Sequence, residues 1–382
     1  MSTKLNLSIL SANSSSSKGR RFEEPSSEGR TNFQRDRDRI LHSSAFRRLM
    51  HKTQVFINHE GDLFRTRLTH SLEVSQIART CARRLYLNED LTEALCLSHD
   101  LGHTPFGHAG QFALNRCMKK IDSISNGFEH NIQSLRIVDL LERKYAKFDG
   151  LNLSFETREG ILKRCSKNAA KKLGDVAKRF IDGGNPSLEA QLANLADEVA
   201  YNHHDLDDGL RAGLLCLDDV LHIPTAMEQA MIVDELYPNI EKNRRQSEII
   251  RRMISAQVDD LVLTSISNLH NANLYSIEDV RTFSKPLVGF SSYMKENVSK
   301  LKKFLHDQMY KHPSVMEMTS VAEEVIENLF FKMINDSKEH YDVKRLRVIA
   351  DTIAAMTDRH AASLHEKWFP KKVICPSPVG FV

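Results

Sequence analysis

Ser98-His99-Asp100-Leu101-Gly102-His103-Thr104-Pro105-Phe106-Gly107-His108 crowds three imidazoles and a carboxylate into eleven residues that also carry two glycines and a proline. A neutral imidazole is the commonest metal ligand and a ready proton carrier near neutral pH, so histidines beside an aspartate can hold a cation and move protons. An adjacent His-Asp pair supplies only two ligands, and the rest must come from other parts of the chain. Upstream, Ala94, Leu95 and Leu97 lead into the pair at helical spacing, predicting a helix that starts around Thr92 with Glu93 in its first turn. Gly102 and Pro105 interrupt it, and the pattern resumes as a helix from Gly107 to Lys120.

Working outward, most of the chain from Asp38 onward reads as helix, with few alternating runs rich in β-branched residues. Leu68, Leu72, Ile77, Cys81 and Leu85 line one side of a predicted helix that stops near Asn88-Glu89-Asp90. Ser125-Asn126-Gly127 signals a turn before a helix with Ile132, Leu135, Val138 and Leu141. After Gly183-Gly184-Asn185-Pro186, Ser187 is a plausible cap for a helix through Ala190, Leu192, Leu195 and Val199, on which Asp197, Tyr201 and Asp205 share one face. Further helical patterns cover Met227 to Leu263, Ser292 to His306, Val315 to Ile334 and Val343 to Trp368. The expected organisation is a mobile polar arm over 1–30, a core over 31–215, a helical region over 216–370 and an irregular tail over 371–382.

Composition narrows the class. The chain has 382 residues, 27% charged and 41% hydrophobic, which suits a globular protein and argues against wholesale disorder. A net charge of +3 is too small for a dedicated nucleic-acid footprint. The six cysteines are widely separated and form no Cys-x-x-Cys pair, so a zinc ribbon or disulfide framework is disfavoured and a cytoplasmic setting is expected. No apolar run approaches the roughly 18–20 residues of a membrane span, and no Gly-rich phosphate loop is present.

Two residues stand out as partners for His99 and Asp100: His70, near the start of one amphipathic helix, and Asp197, which interrupts the apolar pattern of another. Such nitrogen and oxygen ligands suit one divalent ion of Mn, Mg, Co, Fe, Ni or Zn, with open positions for water and substrate. On spacing alone, a capped helix end for His70 and a surface or capping carboxylate for Asp197 are the stronger readings. Arg67 lies one turn before His70, where a guanidinium could pair with phosphate oxygens beside the metal. Alternating Arg and Asp from Arg35 to Arg48 reads as a salt-bridge lattice between the arm and the core.

The ordered set His70, His99-Asp100 and Asp197 resembles the HD phosphohydrolase signature, in which these residue types converge on one metal. The neighbouring words are more specific. Arg35 to Leu49, Lys52-Thr53-Gln54-Val55-Phe56, Arg65 to Ser71, His99 to His108, Phe128-Glu129-His130-Asn131, Ala196 to Tyr201 and Met356-Thr357-Asp358-Arg359 resemble the bacterial deoxyguanosinetriphosphate triphosphohydrolase-like proteins. The resemblance runs in order from about Thr31 to about Ala361.

It implies a mainly α, HD-domain helical fold with additional C-terminal helices, and hydrolysis of a deoxynucleoside triphosphate to deoxynucleoside and inorganic triphosphate. By similarity, His70, His99, Asp100 and Asp197 are metal ligands, His108 is the leading catalytic residue, and His103 and His130 support it. Arg67, Gln54, Tyr201 and Asp205 match substrate-contacting positions, with Asp205 an acceptor for the sugar 3′ hydroxyl. Homo-oligomers and single-stranded nucleic acid are further partners that the resemblance brings. The chain departs from the family at Gln111, where an acidic residue is common. At i+3 from His108, an acid could orient the ring and raise its basicity, whereas an amide can only hydrogen-bond it. That leaves two alternatives beside the leading reading: a nucleotide-binding regulatory module, or an HD phosphohydrolase acting on another nucleotide.

Overall fold

The computed structural model describes residues 7–55, 64–122, 127–336 and 343–370. In chain order its α-helices are α1 (Asn32–Leu41), α2 (Ser44–Arg48), α3 (Arg67–Arg84), α4 (Glu89–Ser98), α5 (Gly107–Ile121) and α6 (His130–Arg136). There follow α7 (Phe155–Ile161), α8 (Lys167–Leu173), α9 (Arg179–Asp182), α10 (Leu188–Arg211), α11 (Leu217–Val220) and α12 (Pro224–Leu236). The last are α13 (Lys242–Ala272), α14 (Ile277–Thr282), α15 (Ser292–Leu305), α16 (Pro313–Asn335), α17 (Val343–Ala354) and α18 (Asp358–Trp368). Among the described residues, extended pairing is limited to isolated bridges such as Thr53 with Thr66, so the fold is mainly α, as the sequence predicts.

Local chemistry sets the helix starts. Thr31 accepts from the Gln34 backbone N–H at 3.2 Å while the Gln34 side chain accepts from Thr31 at 3.0 Å, a capping box that opens α1. Ser187 caps α10 as expected. Asn88 accepts from Leu91 N–H at 3.0 Å, so α4 begins at Glu89 and not near Thr92. The pattern read as one helix from Met227 to Leu263 is two, α12 and α13, interrupted around Pro238, which cannot donate a helical hydrogen bond. Likewise Val343 to Trp368 divides into α17 and α18, where Thr357 accepts from His360 N–H.

The chain falls into two compact units. One comprises Met1–Ala12, Glu73–Thr92 and Gly184–Pro313; the other comprises Asn13–Leu72, Glu93–Gly183 and Ser314–Val382. This interleaving replaces the consecutive 31–215 and 216–370 division expected from the sequence. Periodicity sees helices and breaks, but not which helices return to the same core.

In the first unit α13 packs against α10 and α12 and buries Ile249, Met253, Leu261, Val262 and Leu269. The second unit has two apolar clusters. One gathers Ala113, Leu114 and Cys117 of α5 with Leu329 and Phe330 of α16 and Ile349, Ala350 and Ile353 of α17. The other joins Ile40, Leu49, Leu97, Leu101, Leu135 and Leu153.

The described part of the expected mobile arm is packed. Leu10 is fully buried in the first unit, where Ala12 N–H donates to Glu189 at 3.0 Å. In the second unit Arg20 pairs with buried Asp36 at 2.6 Å, and Arg39 makes two 2.9 Å bonds to Glu24. The Arg/Asp segment therefore does form an ionic lattice, and that lattice orders residues whose composition alone reads as loose. The expected tail over 371–382 lies outside the described residues, as do Ser125 and Asn126 of the expected turn.

Candidate metal centre

Helix α3 turns a polar face inward at its start. Arg67, His70 and Ser71 are buried in phase with Val74, Ile77, Ala78 and Cys81, at the i, i+3, i+4 spacing of one face. Leu72, expected in the apolar stripe, is instead 49% exposed, because polar groups occupy the inward phase that an apolar count assigns elsewhere. From α4, the chain leaves the helix at Ser98 and carries His99 and Asp100 into the turn.

His70, His99 and Asp100 are buried, and one ligand atom from each lies within 4.8 Å of the others. The His70 and His99 rings meet edge-on with centroids 5.5 Å apart. His99 Nδ1 sits 2.6 Å from the Cys96 carbonyl oxygen, which can only accept, so Nδ1 carries the proton and Nε2 the lone pair. Two imidazoles and a carboxylate are the donor set of a borderline divalent ion, and these three residues could hold one.

Asp100 is also held by its neighbours. Arg67 Nη1 donates to Oδ2 at 2.7 Å, and His103 Nε2 lies 3.2 Å from Oδ1. Burial opposes ionisation, but His99, the Arg67 guanidinium and the hydrogen bond from His103 outweigh it and hold the carboxyl well below its ordinary range. His103 moves the same way for a different reason: burial, then Arg67 and His130, disfavour its cation. A neutral His103 donating from Nε2 presents a lone pair at Nδ1, a buried atom with no hydrogen-bond partner among the described residues.

Three of the predicted histidines cluster here. His103 stacks on His130 with centroids 4.0 Å apart, and His108 meets them edge-on at 5.2 Å and 6.0 Å. His130 is pushed down to about 3, chiefly by burial, whereas His108 is exposed.

Gln111 does not act on His108. Its Oε1 accepts from the His130 backbone N–H at 3.1 Å and lies 2.7 Å from His130 Nδ1, while its Nε2 donates to Glu129 at 3.4 Å. A backbone N–H can only donate, which fixes the amide oxygen at that spot and makes Nδ1 the protonated nitrogen. Helix α6 thus begins on a cap supplied by α5, and His130 directs the lone pair of Nε2 away from it.

Close approaches hold this geometry. A Cβ on Gly102 would lie 2.2 Å from the His130 carbonyl oxygen and 2.3 Å from Ser134 N, so α6 rests directly on the turn. Ser134 Oγ accepts from Gly102 N–H and donates to the His99 carbonyl. Phe106 and Gly107 both take left-handed backbone, and Arg67 Nη2 would stand 2.9 Å from a Cβ at Gly107. Two further side chains support the turn. Asp358 accepts from Phe106 and Thr53 N–H at 3.0 and 2.8 Å, tying the turn to the loop of Gln54. Buried Lys52 donates to the carbonyls of His103 and Ala354 at 2.5 and 2.8 Å, and burial lowers its ammonium to about 7. The words around both residues were visible in the sequence; only tertiary contacts reveal what they hold.

Of the remaining predicted residues, Gln54 is half-buried in the second unit, and its backbone oxygen would be 3.6 Å from a Cβ at Gly107. Asp197, Tyr201 and Asp205 lie along α10 in the first unit. Tyr310 donates to buried Asp205, and Lys302 stands over the Tyr201 ring at 5.9 Å.

A helical fold with a buried His, His-Asp cluster defines an HD-domain phosphohydrolase, and residues 67–202 match the HD domain model. Residues 288–367 match the model of a phosphohydrolase-associated domain. Proteins named deoxyguanosinetriphosphate triphosphohydrolase-like are similar along nearly the whole chain. That of Bordetella pertussis is 53% identical over 370 residues, covering 95% of this chain and 96% of the relative. Those of Ralstonia nicotianae (53%, covering 96% of each) and Thiobacillus denitrificans (52%, covering 93% and 95%) are comparable. The chain belongs to the deoxyguanosinetriphosphate triphosphohydrolase-like family.

Proposed function

We propose that this protein is a metal-dependent hydrolase that converts a deoxynucleoside triphosphate of the dGTP type to deoxynucleoside and inorganic triphosphate. The observation that carries the reading is the buried His70, His99 and Asp100 cluster beside three mutually packed histidines. The family names point to the same substrate class. Asp197 joins as the fourth ligand on the strength of the motif order. A divalent ion there supplies Lewis acidity toward an α-phosphate oxygen and a template for water.

The chain's own groups do the rest. Arg67 keeps Asp100 ionised and oriented, and a guanidinium beside the metal suits phosphate oxygens. Water attacks the α-phosphorus, the bond from phosphorus to the 5′ oxygen breaks, and the leaving oxygen takes up a proton. His108, the exposed imidazole of the three, supplies that proton. His103 and His130, both kept neutral, offer lone pairs at Nδ1 and Nε2 to water or phosphate hydrogens. On the family resemblance, Tyr201, Asp205 and Gln54 are the sugar contacts, and Tyr310 donates to the Asp205 carboxylate that would accept the 3′ hydroxyl.

Incubation with Mn2+ or Mg2+ and each deoxynucleoside triphosphate, followed by ion chromatography, tests this directly. Inorganic triphosphate is the expected product. Its absence with every substrate overturns the reading, and pyrophosphate with a nucleoside monophosphate indicates cleavage at another bond. A rise in melting temperature with nucleotide but no turnover identifies a binding module instead.

A further inference from the structure

A second concave site lies in the same unit as the histidine cluster and shares no lining residue with it. This cavity of about 460 Å3 is lined by thirteen residues, of which six are cationic (Lys18, Arg20, Arg21, Arg136, Arg158, Lys172) and two are acidic (Asp139, Asp175). Leu135, Leu140, Phe155 and Leu173 add apolar lining.

The cations are not equivalent. Arg20 is committed to Asp36 at 2.6 Å, Arg136 to Asp351 at 2.5 Å, and Arg158 to Asp139 through two 2.7 Å bonds. These pairs are the rigid wall. Arg21 is held more loosely, reaching the Asp139 carboxylate at 3.6 Å and its carbonyl oxygen at 3.4 Å while 46% exposed, and such a surface pair exchanges for another anion at small cost. Lys18 lies over the Phe155 ring at 5.2 Å, and Lys172 is exposed in the last turn of α8. The bordering run 163–179 carries seven Lys and Arg against Asp175 alone, which adds a positive field at the mouth. An anion seated in the concavity has several of these charges around it at once, more than at a flat surface.

We propose that this cavity binds a small polyphosphate anion, its phosphate oxygens taken by Lys18, Arg21 and Lys172 in front of the Arg158 and Asp139 pair. A volume of about 460 Å3 in a concave wall fits a compact anion better than a strand of nucleic acid, which needs an open groove. One short helix touches both places: α6 begins at His130 in the histidine cluster and ends with Leu135 and Arg136 in the cavity wall.

Inorganic triphosphate is the probe, titrated calorimetrically into the full chain and into His99→Ala, which disables the candidate metal centre. Binding is expected to persist in His99→Ala. Adding Lys18→Glu and Lys172→Glu should weaken it at least about tenfold, the loss expected when charge-assisted contacts go. Lys171→Glu, whose side chain does not line the cavity, should leave it within about twofold, and melting curves verify that each variant folds. Equal affinity with and without the two lysine reversals overturns the proposal. So does the failure of triphosphate to bind His99→Ala while a single-stranded oligonucleotide binds through the same lysines.

Discussion

Replacing Gln111 tests the assignment on which the histidine cluster rests. Its carbonyl oxygen serves two buried donors, the backbone N–H of His130 at 3.1 Å and ring Nδ1–H at 2.7 Å. Gln111→Leu keeps the bulk and removes the acceptor. Each stranded donor costs about 1–3 kcal/mol, so the loss is about 2–6 kcal/mol. Gln111→Glu behaves differently. Its carboxylate would stand where the amide nitrogen now lies 3.4 Å from Glu129, and two such charges repel by about 4 kcal/mol at an effective dielectric of 20 and 4 Å. One of the two therefore takes up a proton, and a protonated carboxyl at the substituted position reproduces the amide, accepting from His130 and donating to Glu129. Stability within about 1 kcal/mol of wild type is expected, with His130 Nδ1 still protonated. The only tryptophan, Trp368, packs against the α5, α16 and α17 cluster, so its fluorescence during urea unfolding reports this unit. Imidazole nitrogen shifts report the tautomer. A Leu variant that loses less than about 0.5 kcal/mol, or a His130 tautomer that is the same in it, would refute the cap.

Other outcomes follow from the same contacts. His99→Ala should abolish tightly bound divalent metal, measured by mass spectrometry of the purified protein, and with it any hydrolysis; full metal occupancy would remove His99 from the ligand set. Gly102→Ala drives a Cβ to within 2.2 Å of the His130 carbonyl and should cost several kcal/mol or prevent folding, whereas Gly183→Ala, with φ +83° and nothing within 4 Å, should cost about 1 kcal/mol in the same melting experiment. Lys52→Met strands the His103 and Ala354 carbonyls, and an unfolding free energy lowered by about 2–4 kcal/mol is expected in a urea titration. Acid should destabilise the fold through buried neutral histidines. His130 and His203 titrate near 3 and 4, chiefly because of burial, whereas an unfolded histidine titrates near 6.5. Below pH 6.5 the unfolded chain binds the extra protons, so stability falls as pH drops toward 4, by about 2.7 kcal/mol for the pair between pH 7.5 and 5.5. A flat stability profile over that range would show that these rings are not held neutral.

The helices were readable where local chemistry decides them: the Ser187 cap, the break at Gly102 and Pro105, and the restart at Gly107. What escaped has one physical cause. Hydrophobic periodicity counts apolar residues as inward, yet at the start of α3 the inward phase belongs to Arg67, His70 and Ser71, and Leu72 is turned out. The packing of residues 7–30 beyond that ionic lattice escaped likewise, because it depends on Glu189 and Glu156, far along the chain. Gln111 shows the same limit at the site itself. Read along its own helix, it is three residues from His108 and suggests a lost partner for that ring. In the fold its amide reaches across to α6, caps that helix and sets the tautomer of His130. An acid in its place would supply the same acceptor, and only a charged one would also raise the basicity of His130. The difference between Gln and an acid here is therefore a difference in the proton affinity of one buried imidazole, not the presence or absence of the cluster.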